Sequence, residues 1–382
     1  MGFLNSKIAT YFSSIFSETL NFEVGILNRM PILIKDHSEI NRLVLRNIII
    51  SKENWDNYEV SFDFIKHPFM NYNSNLLKEC YEMYAFDFEL KFNELKKNEE
   101  QINEFFIEAY DLKNIIQKNI SDNDITLFKP NLTEGIKSFV SYAVGCMFGR
   151  YSLDAEGLQF AGGTFDINNY TKFNPDDDNI IPVLDSEYFE DDIVGRFVEF
   201  VKACFGEENL EENLEFIADA LAKNKKSSRE KIRDYLLKNF FNDHKKTYKK
   251  CPIYWQFNSG KENGFNCLVY MHRYEPSLVA RIRTDYLHKT QKAIEEAISN
   301  CDNIIKNSSS NTEKAKATKD KNKLQKQLKE TQEYDEALAH IANQNIKIDL
   351  DDGVKINYKK FQNVEVSKEG KKSKKINLLK KL

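Results

Sequence analysis

The sequence has few of the features that mark secreted, membrane-spanning or metal-binding proteins. Its six cysteines form no CxxC pair, it shows no signal peptide, and no apolar run reaches 18 residues. This pattern indicates reduced thiols that serve as small core residues. We therefore expect a cytoplasmic protein with no membrane segment.

Nucleotide and metal motifs are also missing. Gly157, Gly162 and Gly163 lie close together, but neither a GxGxxG nor a GxxxxGK[ST] spacing is present. The acidic run that includes Asp176, Asp185 and Glu187 suggests a metal-dependent nuclease as the weakest hypothesis. Such a nuclease would typically need a lysine two residues after a carboxylate on a strand, and this arrangement is absent. We expect no metal site and no catalytic residue in this chain.

The 382 residues, 41% of them hydrophobic, are enough for two or three folded units. Helical periodicity runs almost throughout residues 35–127, where we expect a helical spacer. The opening residues 4–15 predict an amphipathic helix, and Phe22 to Ile34 predicts a short strand or extended segment. Because the chain begins on a half-buried helix, we expect that Met1 does not start an independent domain.

Charge is strongly segregated in the middle of the chain. Residues 176–215 contain 14 acidic and 2 basic residues, whereas residues 223–250 contain 11 basic and 3 acidic residues. On one continuous helix, Lys231, Lys238, Lys245 and Lys249 would form a narrow stripe, separate from an apolar face that can pack on a core. A solvated charged face explains this stripe equally well.

Aromatic and basic residues follow the basic segment. Residues 253–257 and 265–271 predict two strands of a β-hairpin joined by NSGKENG. Cations that contact phosphates, interleaved with aromatic rings, are typical of nucleic-acid contact, although aromatic residues in strands are more often core residues. The predicted nucleic-acid-binding residues are Arg229, Lys231, Lys238, Lys245, Lys246, Lys249, Lys250, Trp255, Asn258, Ser259, Lys261, Arg273, Arg281 and Arg283.

The last part of the chain reads as a helical hairpin arm or antiparallel coiled coil followed by a basic tail. Apolar residues recur helically on both sides of the break at Ser308 to Asn311. Residues 368–382 contain seven lysines and one glutamate, and we expect a mobile tail that adds nonspecific phosphate affinity.

Several long motifs carry a family resemblance. GRYSLDAEGL, IPVLDSEYFEDDIVGRFVEF, the basic segment with its hairpin, LVYMHRYEPSLVARIRTDYLH and DLDDGVKINY resemble the C-terminal half of PglX-like proteins, the adenine-specific DNA methyltransferases of phage-exclusion (BREX) systems. The resemblance implies an α+β, predominantly helical protein with a β-hairpin. It implies the following parts: a remnant of the junction between the methyltransferase and target-recognition regions (1–34), a helical spacer (35–150), a mixed α/β DNA-contact region (151–288), a helical hairpin arm (289–345) and a basic tail (346–382).

The sequence differs from the family in the motifs that carry out methylation. These enzymes need an S-adenosylmethionine pocket and an [NDS]PP[YFW] motif that holds a flipped adenine. The nearest match, Asn174-Pro175-Asp176-Asp177, lacks the second proline and the aromatic residue. The resemblance therefore implies a noncatalytic part that contacts double-stranded DNA and chooses the target. S-adenosylmethionine and the reaction would belong to an upstream methyltransferase polypeptide, and other defence-system subunits are further expected partners. The alternative is a protein-interaction scaffold within the defence complex.

Overall fold

Helices dominate the structure, which confirms the predominantly helical class predicted from the sequence. The computed structural model describes residues 1–16, 24–33, 38–366 and 374–382. These residues divide into two units, one of residues 1–73 with 79–132 and one of residues 74–78 with 133–382. The helices are α1 (Lys7–Phe16), α2 (Val24–Leu27), α3 (Ser38–Asp56), α4 (Leu77–Ala109), α5 (Leu132–Met147), α6 (Ile193–Phe205), α7 (Leu210–Leu221), α8 (Ser228–Tyr235), α9 (Phe241–Thr247), α10 (Leu278–Arg281), α11 (His288–Asn307), α12 (Asn311–Gln344) and α13 (Val354–Lys359).

The strands form two small antiparallel sheets. They are β1 (Ile181–Pro182), β2 (Tyr254–Asn258), β3 (Asn266–Tyr270), β4 (Val364–Val366) and β5 (Lys374–Ile376). The first sheet has the order β1-β3-β2, and the second pairs β4 with β5. The hairpin strands β2 and β3 agree with the predicted strands to within one residue at each end. The agreement is close because aromatic and β-branched residues favour strands.

In the first unit, α3 and α4 lie side by side. Arg46 pairs with Glu94 at 2.7 Å, and Lys91 pairs with Glu53 at 2.8 Å. From the first pair to the second, the residue number on α3 rises while the number on α4 falls, so the two helices are antiparallel. Their inward faces fill two apolar cores, one of which includes Phe106.

In the second unit, the three-stranded sheet is buried on both faces. Every residue of β3 is buried, so the strand shows no alternation between polar and apolar faces. Helices α10 and α12 and the C-terminal residues supply the surrounding core through side chains such as Leu278, Leu338 and Leu379. Burial on both faces explains why apolar and aromatic residues occupy successive positions of these strands, as in Cys267 to Tyr270.

The C-terminal residues are part of this core, so the expected mobile tail is wrong for residues 374–382. Leu378 and Leu379 are buried, and the Leu378 carbonyl accepts the backbone N–H of Asn258 at 3.0 Å. The Lys380 N–H donates to the Gln256 carbonyl at 2.9 Å. Two adjacent leucines bury enough apolar surface to hold a segment that is otherwise rich in lysine. Residues 368–373 of the predicted tail lie outside the described residues.

Two further predictions about local structure need correction. The described residues Val24–Leu27 form a helical turn where an extended segment was expected; residues 22, 23 and 34 of that segment lie outside the described residues. The predicted continuous basic helix is interrupted, since Leu236–Phe240 forms a π-helical turn between α8 and α9. A π turn inserts extra residues into the helical repeat, which rotates the following residues about the helix axis.

Candidate nucleic-acid interface

The basic helical segment begins with a well-formed cap. The Ser227 side chain accepts the Glu230 N–H, and the Glu230 carboxylate in turn accepts the Ser227 N–H at 2.9 Å. This reciprocal arrangement satisfies two donors at the start of α8. The cap is local, and the S-x-x-E spacing encodes it.

Most cations of α8 are engaged with carboxylates. Arg229 makes two hydrogen bonds of 2.7 and 2.8 Å to Glu211 on α7. Lys231 is buried and pairs with Asp219 at 2.6 Å. These predicted phosphate contacts are therefore ion pairs of the folded protein.

A second arginine of α8 makes a more deeply buried pair that sequence reasoning missed. Arg233 makes two hydrogen bonds of 2.8 Å to Asp192, whose side chain also accepts the Val194 N–H at 3.0 Å and caps α6. Asp192 is 1% exposed. Asp192 and Arg233 are 41 residues apart, and no local sequence pattern connects them.

The π-helical turn changes the predicted lysine stripe. Lys238 lies within the turn and pairs with Asp234. Lys245 follows on α9, and Lys249 lies beyond the end of α9. The four lysines therefore do not share one helical face, because the stripe assumed an uninterrupted α-helix.

Accessible cations lie at and just beyond the end of α9. Lys246 pairs with Asp243 at 3.6 Å, and the Lys245 ammonium donates to the Lys381 carbonyl at 3.3 Å. Lys249 and Lys250 are exposed, and the ion pairs of the described residues include neither. These two lysines remain available for an anionic partner.

The predicted aromatic and arginine contacts lie mostly in the interior. Trp255 is fully buried, with its Nε1–H donated to the Pro252 carbonyl at 3.2 Å. Arg273 donates to the carbonyls of Phe148, Asp176 and Asp177 at 2.7 to 3.3 Å. Burial lowers the pKa of Arg273. Trp255 is thus a core residue, and Arg273 binds backbone.

The two arginines after the hairpin are paired as well. Arg283 makes hydrogen bonds of 2.8 and 3.1 Å to Asp335 on α12, and Arg281 lies 3.4 Å from Glu275. Both side chains are about one-third exposed. Their charges are therefore largely balanced within the fold.

The hairpin loop is fixed to α12 by one carboxylate. Glu330 accepts the Ser259 hydroxyl at 2.7 Å, the Glu262 N–H at 2.8 Å and the Gly264 N–H at 3.2 Å. Asn258 donates to Asn263 at 3.3 Å and also to Asn266. The side chains of Asn258 and Ser259, which were predicted to bind nucleic acid, thus make internal hydrogen bonds. The Lys261 side chain is 89% exposed and pairs with Glu262 at 3.6 Å.

A groove opens between this loop, α12, β5 and the C-terminal residues. Its volume is about 690 Å³. Among the described residues, its lining includes three glutamates, Glu262, Glu330 and Glu333, and more than twice as many lysines. The lysines are Lys261, Lys326, Lys329, Lys374, Lys375, Lys380 and Lys381.

The groove has a positive field that its own carboxylates do not cancel. Lys326 and Lys329 are exposed on α12, and neither takes part in the ion pairs of the described residues. Burial, and then the nearby charge of Lys245, lower the pKa of Lys380. Concentrated lysines along a concave surface suit a polyanion, whose phosphates they would neutralise with release of counterions.

Sequence reasoning missed Lys326 and Lys329 altogether. It treated the C-terminal lysines as a mobile tail, although the buried pair Leu378 and Leu379 signals an anchored segment. The loop residues Asn258, Ser259 and Lys261 were selected, and the structure brings all three to the groove.

The acidic segment supplies partners for cations and shows no metal geometry. Asp185 accepts Lys323 at 2.5 Å. Burial, followed by the charge of Asp178, raises the pKa of Asp176 to about 7. Within the described residues, no group of three or more His, Cys, Asp or Glu side chains is placed to hold a metal ion.

Comparison with known proteins finds two relatives of this chain. The chain is 40% identical over 371 residues to the adenine-specific methyltransferase PglX of Lacticaseibacillus casei (strain Zhang), covering 95% of this chain and 31% of that protein. It is 36% identical over 386 residues to the adenine-specific methyltransferase BrxX of Escherichia coli O9:H4 (strain HS), covering 94% and 32%. The chain is PglX-like over almost its whole length. The expected resemblance is confirmed.

The PglX-like chain spans about a third of the length of the curated relatives it matches, which fits a C-terminal part of such a protein. No protein-family model matches the chain. Within the parts of the chain that the structure describes, no helix combines the length and the apolar composition needed to cross a bilayer.

Proposed function

We propose that this chain is the noncatalytic, DNA-contacting part of a longer PglX-like adenine-specific methyltransferase of a phage-defence system. It would hold double-stranded DNA while another part of the protein, or an upstream polypeptide, binds S-adenosylmethionine and methylates N6 of adenine. The single observation that carries the proposal is the lysine-rich groove beside the hairpin loop.

The noncatalytic role is supported by the sequence motifs. The only approach to the adenine-holding motif is Asn174-Pro175-Asp176-Asp177, and Asp176 there is buried, with its carboxylate accepting the Ile180 N–H at 3.0 Å. Arg273 donates to the Asp176 and Asp177 carbonyls, so this turn serves the packing of the second unit. An extruded base would find no aromatic ring of the motif on which to stack.

The groove lysines are better suited to phosphate contact than the arginines and lysines of α8. A cation that already has a carboxylate partner must lose that partner before it can neutralise a phosphate, whereas an unpaired exposed lysine only releases its hydration. We therefore assign the main phosphate contacts to Lys326 and Lys329. Lys261 pairs with Glu262 at 3.6 Å but is 89% exposed, and it would add a weaker contact. The accessible lysines at the end of α9 provide a secondary contact.

A paired charge reversal on α12 tests the proposal. Full-length chain carrying Lys326→Glu and Lys329→Glu should bind duplex DNA at least about tenfold more weakly at physiological salt. Because each phosphate contact contributes about one unit, the slope of log affinity against log salt should fall by about two units. The measurement is fluorescence anisotropy with a labelled duplex across a salt series.

The matched control changes Lys316 and Lys319 to glutamate. These lysines have the same three-residue spacing, are exposed on the same helix and do not line the groove. Control and groove variants with equal affinity losses would contradict a specific role for the groove. Wild-type binding that is absent or insensitive to salt would refute DNA contact as the function.

The scaffold alternative rests on the first unit, which has an exposed apolar surface. Leu45 and Ile49 on α3 are 61% and 47% exposed, and Phe86 and Leu90 on α4 are 65% and 55% exposed. Large apolar side chains that are exposed on two neighbouring helices are a feature of surfaces that bind protein partners. Under this alternative, Leu45→Asp with Ile49→Asp would abolish co-purification with defence-system subunits, and the groove variant would leave it unchanged.

A further inference from the structure

Arg150 is a partly buried cation surrounded by neutral groups. It follows α5 and Gly149, whose φ of 73° turns the chain. Its Nε–H donates to the Tyr151 hydroxyl and its Nη1 group to the Tyr270 hydroxyl, both at 3.1 Å. The ion pairs of the described residues do not include Arg150.

The other arginines packed within the second unit differ from Arg150. Arg233 and Arg283 each face a carboxylate, and Arg273 faces three backbone carbonyls. Partly buried charges are usually paired, because removing an ion from water is costly unless an opposite charge or strong acceptors replace the water. Phenol oxygens are weak substitutes for a carboxylate, so the Arg150 charge has no counterion within the described part of the chain.

Two imidazoles beside Arg150 have unused nitrogens. His244 Nε2 accepts the N–H groups of Ile253 and Tyr254, both at 3.1 Å, which places the ring proton of the neutral imidazole on Nδ1. The Nδ1 atoms of His244 and His272 are buried and have no hydrogen-bond partner among the described residues. Burial and the charge of Arg150 lower the pKa of His244 to about 3 and that of His272 to about 4. Both rings are therefore neutral at physiological pH and add no second charge.

Further positive charge lies next to this cluster in the chain. The ring of Tyr248 is centred 4.7 Å from the His244 ring, and Tyr248 precedes Lys249 and Lys250. These two lysines have φ angles of 50° and 66°. The left-handed region is unfavourable for residues other than glycine, and such strain is concentrated at functional sites. Two successive lysines in this strained conformation therefore follow α9, directly after Tyr248 in the chain.

We propose that Arg150 is the centre of an oxyanion-binding site for a phosphate group, with the His244 and His272 imidazoles around it and Lys249 and Lys250 contributing positive charge. The planar guanidinium donates in a fixed fork that matches two oxygens of a phosphate. The bound phosphate would be the counterion that Arg150 does not have among the described residues. This site is separate from the lysine-rich groove and does not depend on the function proposed for it.

Thermal unfolding of the full chain with inorganic phosphate tests the site. At equal ionic strength, phosphate should raise the wild-type Tm above its value in chloride by about 2 °C or more, because a ligand that binds only the folded state stabilises it. Arg150→Gln should lose this phosphate-specific gain. Arg229→Gln, which removes an arginine already paired with Glu211, should keep it. Equal wild-type Tm values in phosphate and chloride, or an undiminished gain in Arg150→Gln, would overturn the proposal.

A second measurement does not depend on the variant folding. Wild-type protein should broaden the ³¹P resonance of inorganic phosphate in proportion to protein concentration, and added sulfate should reverse the broadening. A phosphate signal that stays sharp at high protein concentration also refutes the site.

The same variants distinguish the source of the phosphate. If Arg150 binds a DNA phosphate, Arg150→Gln weakens duplex binding and free phosphate competes with DNA at constant ionic strength. If it binds a small phosphorylated molecule, the phosphate-specific gain in Tm disappears while duplex affinity is unchanged. The groove variant Lys326→Glu with Lys329→Glu should retain the wild-type phosphate response, so the two proposals can fail separately.

Discussion

The basic helical segment of α8 and α9 and the lysine-rich groove are both cationic, yet they differ in what surrounds their charges. On α8, Arg229 and Arg233 face Glu211 and Asp192 from the acidic segment that precedes them. In the groove, Lys326 and Lys329 have no such partners among the described residues. A run of basic residues in the sequence therefore does not by itself identify an exposed basic surface.

The reason lies in the segregation of charge along the chain. The 14 acidic residues of the segment 176–215 precede the 11 basic residues of 223–250, and α7 and α8 pack together. Folding brings the two segments into contact, so their charges are partly neutralised. The groove is formed by three segments that are distant in sequence and that together supply seven lysines. One of its three glutamates, Glu330, is occupied by backbone donors.

The largest expected change in stability concerns the buried ion pair between Asp192 and Arg233. Asp192→Ala should lower the free energy of unfolding by about 3–5 kcal/mol, because it leaves the Arg233 charge without its buried partner and removes the cap of α6. Urea unfolding measures the change. The exposed pair offers the control: Arg229→Gln should cost less than about 1 kcal/mol. Similar costs for the two variants would remove the distinction between buried and exposed pairs.

A smaller loss of stability is expected when the carboxylate that fixes the hairpin loop at the groove is removed. Glu330→Ala should lower the free energy of unfolding by about 1–3 kcal/mol, because it leaves the loop donors at Ser259, Glu262 and Gly264 without their acceptor. Chemical denaturation provides the measurement, with the exposed Glu296→Ala on α11 as the reference. A loss no greater than that of the reference would show that the loop holds its shape without this carboxylate.

The smallest expected effect is on the salt dependence of duplex binding, measured for two single-lysine variants. Lys329→Gln should reduce the salt slope of duplex binding by about one unit, and Lys238→Gln should leave it unchanged, because Lys238 is already paired with Asp234. Both variants should change stability by less than about 0.5 kcal/mol. Equal slopes for the two variants would mean that pairing in the fold does not govern access to phosphate.

Local features were predictable because they depend on neighbouring residues. The hairpin strands and the long helix α4 follow from runs of aromatic and β-branched residues and from helical periodicity. The π-helical turn at Leu236–Phe240 was not predicted, and its insertion moved Lys245 and Lys249 away from Lys231. Trp255 was predicted to bind nucleic acid but is buried, since an aromatic residue in a strand suits either a core or a base contact.

The candidate site was predictable only in part. Asn258, Ser259 and Lys261 were identified from the loop, whereas Lys326 and Lys329 were not, because no local pattern connects α12 with the hairpin. The C-terminal lysines were recognised as basic but were expected to be mobile. Their position depends on the burial of Leu378 and Leu379 against the sheet.

The sequence by itself determined the helical character, the hairpin, the opposed acidic and basic segments and the relation to PglX-like methyltransferases. These properties depend on residue types and on short spacings along the chain. The tertiary structure decided which cations are neutralised and which remain accessible, and it left Arg150 among neutral rings. Ion pairing depends on side chains that are far apart in sequence and within 4 Å in space, and only folding brings them together.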